Sequence, residues 1–198
     1  MNSEFNSRLG LKAEARKELK AKLKVFTSDT SFKASAEGRI VSQIKSLIVN
    51  SGAVVAGFVG MSSEPDLSAL YSLSSYSFVF PKLISLGSGD EIQFMPVREY
   101  LSEPWNVSPL GFKHPSSNSV VPAEDIDVML VPGLGFSAFG DRLGRGKGFY
   151  DRYLSRFNGL KIGICFDCQW TEQPLPTESW DIRMNYIITE NRCVEIEG

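Results

Sequence analysis

The chain has 198 residues, enough for one substantial core and too few for two domains with a linker. Hydrophobic residues make up 42% and charged residues 22%, which excludes a disordered or collagen-like chain. With 21 Lys+Arg against 23 Asp+Glu the formal net charge is −2, which argues against bulk electrostatic binding to nucleic acid and requires any basic site to be local.

The first ten residues, MNSEFNSRLG, are polar and aperiodic, and are expected to form a flexible terminus to the single domain spanning 1–198. From Leu11 to Phe26 the spacing of Leu11, Ala15, Leu19 and Leu23, with no Gly or Pro inside, predicts an amphipathic helix. Ile40, Val41, Ile44, Leu47 and Ile48 predict a second, stopped by Asn50, Ser51 and Gly52. The period then changes: 53–59 (AVVAGFV) is continuously apolar, as in a strand covered on both faces. Similar short runs follow at 76–80, 126–131, 160–166 and 186–189, with a further pair near 83–86 and 91–95. Tyr150, Tyr153, Leu154 and Phe157 place a helix over 150–157. Helices alternating with buried strands predict an α/β fold, a single three-layer domain with a largely parallel β-sheet flanked by helices. Residues 102–122, rich in Pro, Ser and Asn, read as a long functional loop. Three cysteines, no apolar signal core near Met1 and no run of about 18 apolar residues point to a reducing, cytoplasmic location away from membranes.

The segment that carries chemistry is 131–151, VPGLGFSAFGDRLGRGKGFYD. Glycines let backbone N–H groups turn toward a ligand, and Arg142, Arg145 and Lys147, interleaved with Gly144, Gly146 and Gly148, can neutralise anionic oxygens. That combination suits a polyphosphate. Two familiar phosphate motifs fail here. Gly133, Gly135 and Ala138 fit G-x-G-x-x-A, but the helix that should follow is broken by glycines; a P-loop would need Gly where Asp141 stands and a hydroxyl where Gly148 stands.

The run PGLGF-x₃-G-x-RLGRGKGFYD-x-YL resembles the signature of the 5-formyltetrahydrofolate cyclo-ligase, or methenyltetrahydrofolate synthetase, family. Lys12 and Arg16 match its N-terminal K-x₃-R, Met61 and Glu64 its M-x₂-E, Pro81-Lys82 its P-[RK] step, Trp105-Asn106 its aromatic loop, Gln169 its late Gln and Asp181 its last acidic position. The resemblance implies ATP- and Mg²⁺-dependent conversion of 5-formyltetrahydrofolate to 5,10-methenyltetrahydrofolate, with release of ADP and phosphate, by a monomer acting on small molecules. It implies that Lys12, Arg16, Arg142, Gly144, Arg145, Gly146, Lys147 and Gly148 bind ATP, with Arg145 and Lys147 catalytic. Met61, Glu64, Trp105 and Tyr150 are implied on the folate side, and Asp151 and Asp181 as magnesium ligands. Ser137, Ser108, Trp180 and Asn185 depart from the family pattern.

Other readings of the same residues stay open. Lys12 and Arg16 also fit the solvated face of a basic helix, Glu64 a helix-start acid, and Trp105 and Tyr150 core aromatics. Cys165 and Cys168 lack the further ligands zinc wants, and the only histidine, His114, lies in a loop with no serine-hydrolase motif beside it. A non-catalytic nucleotide- or folate-binding homologue, or an ATP-dependent enzyme of the same fold with another acceptor, would carry the same loop.

Overall fold

The structure is a computed structural model describing residues 2–86 and 89–197. Helix α1 spans Asn2–Phe26 and α2 spans Thr30–Leu47. The first helix begins far ahead of Leu11 and takes in all but Met1 of the expected flexible terminus; Met1 lies outside the described residues. No proline precedes Leu11, and the one glycine, Gly10, costs too little to stop a helix already nucleated downstream. The second is longer than its apolar period because Asp29 caps it, accepting N–H bonds from Ser31 (3.1 Å) and Phe32 (3.0 Å).

Strand β1 (Val54–Ala56), the short helix α3 (Ser68–Tyr71), and the hairpin of β2 (Ser77–Leu86) and β3 (Gly89–Val97) follow. Two expected strands, 76–80 and 83–86, are thus one. Pro81 sits inside β2 beyond the three residues that pair with β1, where its missing N–H breaks no ladder to that side. The expected long loop at 102–122 contains a small hairpin, β4 (Asn106–Val107) with β5 (Lys113–His114). Then come β6 (Val128–Pro132), β7 (Gly135–Ser137), β8 (Arg142–Leu143), α4 (Phe149–Leu154), β9 (Leu160–Ile164), β10 (Trp170–Thr171), β11 (Tyr186–Ile188) and β12 (Cys193–Glu195).

The main sheet has the order β12-β11-β9-β6-β1-β2-β3, with β11, β9, β6, β1 and β2 parallel and the two edge strands antiparallel. Side chains alternate between its faces. Val55, Phe78, Phe80, Leu130 and Ile162 pack under α1, α2 and α3, with Leu23, Ile40, Ile44 and Leu70. Ala56, Val79, Met129 and Val131 face the other way, onto Tyr153, Leu154 and Phe157 of the α4 region. Three layers result, as the alternation of helices and strands predicts. Among the described residues no helix is long and apolar enough to cross a membrane.

From β1 the chain builds toward β2 and β3 on one side, then returns to build β6, β9 and β11 on the other. The strand order therefore reverses between β1 and β6, and in open α/β sheets the crevice outside the carboxyl ends of such strands is where ligands bind.

Candidate active site

A cavity of about 300 Å³ opens at that crevice. One wall is the segment after β1, with Phe58, Met61 and Glu64; the other is the segment after β6, with Gly133, Arg142 and Gly144 through Asp151; Leu110 and Phe112 of the small hairpin lie over it. Tight packing fixes both walls. The Tyr71 hydroxyl donates to Phe58 O (2.8 Å) and accepts from Phe58 N (3.1 Å), holding the first. The second is clamped by buried Gln169, whose Nε2 donates to the carbonyls of Gly133 (2.9 Å) and Leu134 (3.1 Å) while Oε1 accepts from Phe166 N. At Gly135 the chain passes close to α1: a Cβ there would lie 2.5 Å from a methyl of buried Leu19, which would have to shift. Gly146 (φ 100°) and Gly148 (φ 66°) adopt left-handed backbone that turns the cationic loop around the cavity.

The structure brings together Met61, Glu64, Arg142, Gly144, Arg145, Gly146, Lys147, Gly148, Tyr150 and Asp151, all lining the one cavity. Two of the loop's three cations are nevertheless already paired. Arg142 is buried, its Nη2 2.6 Å from Asp151 Oδ1 and its Nη1 donating to Pro132 O (3.2 Å), with the guanidinium 5.6 Å from the Tyr150 ring centre. Arg145 donates from Nε (3.1 Å) and Nη2 (2.9 Å) to Glu64 Oε1. Lys147, exposed, has no carboxylate partner among the described residues. Burial pushes the Tyr150 phenol well above its ordinary value, Glu64 pushes it the same way and Arg142 opposes, so Tyr150 is a neutral donor at physiological pH.

Four expected site residues are not among the cavity's lining residues. Trp105 is not on the cavity wall; it packs edge-on to Phe80 (5.2 Å) and on Tyr100 (5.1 Å), where burying its apolar face is satisfied without a ligand. Lys12 is buried, with Nζ 2.7 Å from Asp181 Oδ2 and 3.8 Å from Glu178 Oε1. Asp181 is thereby committed to α1 and is not among the cavity's lining residues. Arg16 reaches the loop from α1 by donating from Nε to Gly144 O (3.0 Å). No group of three or more His, Cys, Asp or Glu able to hold a metal occurs among the described residues.

Two contributors escape sequence reasoning. Arg152 supports the loop from within α4, donating to the carbonyls of Lys147 (3.2 Å) and Asp90 (3.0 Å), and its position four residues after Gly148 was the available signal. Phe149, adjacent to the motif's Tyr150, lines the cavity and lies 5.2 Å from the Arg152 guanidinium.

The family model described as the 5-formyltetrahydrofolate cyclo-ligase family matches residues 8–190. This chain belongs to that family. A cyclo-ligase of the same name from Escherichia coli K12 is 39% identical over 79 residues, 38% of this chain and 43% of that protein; the one from Mus musculus is 29% identical over 115 residues, 55% and 53%. These alignments span about half or less of the curated relatives. A solved structure of a 5,10-methenyltetrahydrofolate synthetase from Aquifex aeolicus superposes over 95% of this cyclo-ligase family chain and 94% of its own, at 31% identity and a TM-score of 0.79. One from Mycoplasma pneumoniae, 23% identical with a TM-score of 0.69, shares the fold over 90% and 98% of the two chains.

Proposed function

We propose that the protein is a 5-formyltetrahydrofolate cyclo-ligase, which closes 5-formyltetrahydrofolate to 5,10-methenyltetrahydrofolate with ATP as co-substrate and Mg²⁺ as metal. The observation that carries this reading is the meeting, in one cavity, of a cation-rich glycine loop, with the neutral Tyr150 phenol at its end, and a carboxylate on the opposite wall. The first suits phosphates and the second suits a planar heterocycle with ring N–H donors. Membership of the family and the relatives' names agree with it.

Ring closure has to expel the formyl oxygen, a poor leaving group because it would have to depart as hydroxide, from a carbon that the amide-like nitrogen makes weakly electrophilic. Phosphorylation of that oxygen makes it leave as phosphate when N10 attacks the carbon. Most of what such a transfer asks of a protein is positioning and charge neutralisation. Lys147 supplies an uncommitted charge for the transferring phosphoryl, Arg145 a second once it leaves Glu64, and the loop at Gly144, Gly146 and Gly148 supplies backbone. Glu64 and Tyr150 orient the heterocycle against that loop, and Phe58 and Phe112 keep water from the reacting atoms.

The donor set fits magnesium only in part. Asp151 uses Oδ1 on Arg142 and has Oδ2 to offer, while Asp181 is engaged by Lys12. Magnesium habitually takes one or two carboxylates together with substrate phosphates, and bound here it would neutralise phosphate charge. Arg142 is the anchor that orients Asp151.

Methenyltetrahydrofolate has a conjugated amidinium chromophore that the formyl substrate lacks, so the test is absorbance. The expected result is an absorbance gain that needs enzyme, ATP, Mg²⁺ and 5-formyltetrahydrofolate together. Nucleotide binding without any such gain would replace the enzyme by a binding protein.

A further inference from the structure

Glu64 stands between the two halves of the cavity. Its Oε1 accepts both hydrogen bonds from Arg145, and its Oε2 accepts from Met61 N (3.0 Å). Its side chain is 8% exposed against 38% for Arg145. Resting on the proposed function, the carboxylate that would receive the heterocycle and the guanidinium that would receive phosphate are each other's partner in the structure. Neither ligand can be gripped fully while that pair holds.

We propose that the Glu64–Arg145 pair is a latch that makes nucleotide and folate bind cooperatively, Glu64 acting as a positioning residue for Arg145. The two partners differ in mobility. Glu64 is buried and tied to its own loop through Met61 N–H, whereas Arg145 is half exposed between Gly144 and Gly146, and its remaining side-chain contact is Ser63 Oγ at 3.0 Å. Arg145 is therefore the arm that swings. A polyphosphate that draws it away leaves a buried carboxylate without its cation, which is costly until a donor replaces it. Ring N–H donors of the folate supply that replacement at Oε1. Each ligand thus removes a cost that the other would otherwise bear alone, and by linkage the enhancement is the same in both directions.

Calorimetry with a non-hydrolysable ATP analogue and tetrahydrofolate, which lacks the formyl group and cannot turn over, measures this directly. The wild type is expected to bind the analogue at least about fivefold more tightly when saturated with tetrahydrofolate, with the same factor for tetrahydrofolate when saturated with the analogue. Glu64→Gln keeps the size and the acceptor for Met61 N–H but releases Arg145; alone it should bind the analogue more tightly than the wild type does, with the coupling factor falling toward one. Arg145→Gln approaches from the other side: tetrahydrofolate alone should bind more tightly than to the wild type, again without coupling. Wild-type affinities that are independent of the partner ligand, or variants that keep the full coupling factor, would overturn the latch while leaving the proposed function standing. Failure of any of the three proteins to bind the analogue, together with an inactive wild type, would overturn both.

Discussion

Arg142 is assigned to phosphate by its place in the motif and to anchoring by its contacts, and one pair of substitutions separates the two roles. Its side chain is 5% exposed, with Nη2 2.6 Å from an Asp151 that is 21% exposed. Removing one partner of a buried ion pair costs about 3–5 kcal/mol, because the other charge stays behind without compensation. Two features reduce that figure. Asp151 keeps some contact with water, and Arg142 Nε is buried without a hydrogen bond, so Arg142→Met also removes an unsatisfied donor. A loss of about 2–3 kcal/mol is expected, and at about 2–4 °C per kcal/mol for a chain of this size the melting temperature should fall by roughly 4–12 °C. Urea denaturation of wild type, Arg142→Met, Asp151→Asn and the double variant measures the loss and yields the interaction energy. That energy should exceed about 0.5 kcal/mol, the ordinary error of additivity. Arg142→Met within about 0.5 kcal/mol of wild type, with nucleotide binding abolished, would refute the anchoring argument and return Arg142 to the phosphates.

Lys147→Ala should do the reverse: its exposed side chain has no ion pair to lose, so the unfolding curve should stay put while turnover in the absorbance assay falls at least about tenfold, equivalent to about 1.4 kcal/mol of barrier. Tyr71→Phe strands both backbone groups of Phe58 behind the cavity wall, and urea denaturation should show a loss of about 1–3 kcal/mol. At Asp167, burial raises the carboxyl, but hydrogen bonds from Thr189 and Arg192 outweigh it and hold the group below its ordinary 3.8. That contribution is fully present above the unfolded value and is lost as pH falls through the depressed one, so Asp167→Asn should flatten the decline in stability measured below about pH 4. Tyr71 and Tyr150 carry the opposite dependence. Burial raises both phenols, so the unfolded chain releases their protons first and stability should decline as pH rises above 10, followed by denaturation at stepped pH.

The parts of this molecule that were legible in the sequence are those with a period. Ile40, Val41 and Ile44 announce α2, and the apolar runs at Val54, Val128, Leu160 and Tyr186 announce the parallel strands, because each side chain's burial follows from its place in a repeat. Strands β7, β8 and β10 are two or three residues long, too short for any period to show, and the first two also lie among glycines. The glycine-cation loop was legible as a composition, but its charge state was not. Lys12 meets Asp181 across 169 positions and Arg145 meets Glu64 across 81, and nothing local in either segment foretells such a contact. Trp105 shows the converse: a motif match placed it with the ligand, while the structure packs it, half-buried, on the aromatic cluster of Phe80 and Tyr100.

These pairings change what the net charge of −2 means for the site. Composition required that any basic patch be local, and the loop supplies one, yet Arg142 is matched by Asp151, Arg145 by Glu64 and Lys12 by Asp181. Arg16 is spent on a backbone carbonyl, which leaves Lys147 and, on the small hairpin, Lys113 as the cavity's lysines without an ion-pair partner among the described residues. A ready-made positive field would favour any anion that diffused in. A largely paired one favours a ligand that can exchange partners with the pairs, and on the proposed function a polyphosphate drawing off the arginines while a cation or an N–H donor takes over the carboxylates would make that exchange on both sides at once. On the proposed function, the ion pairs themselves are then expected to select the complete set of ligands over stray phosphate.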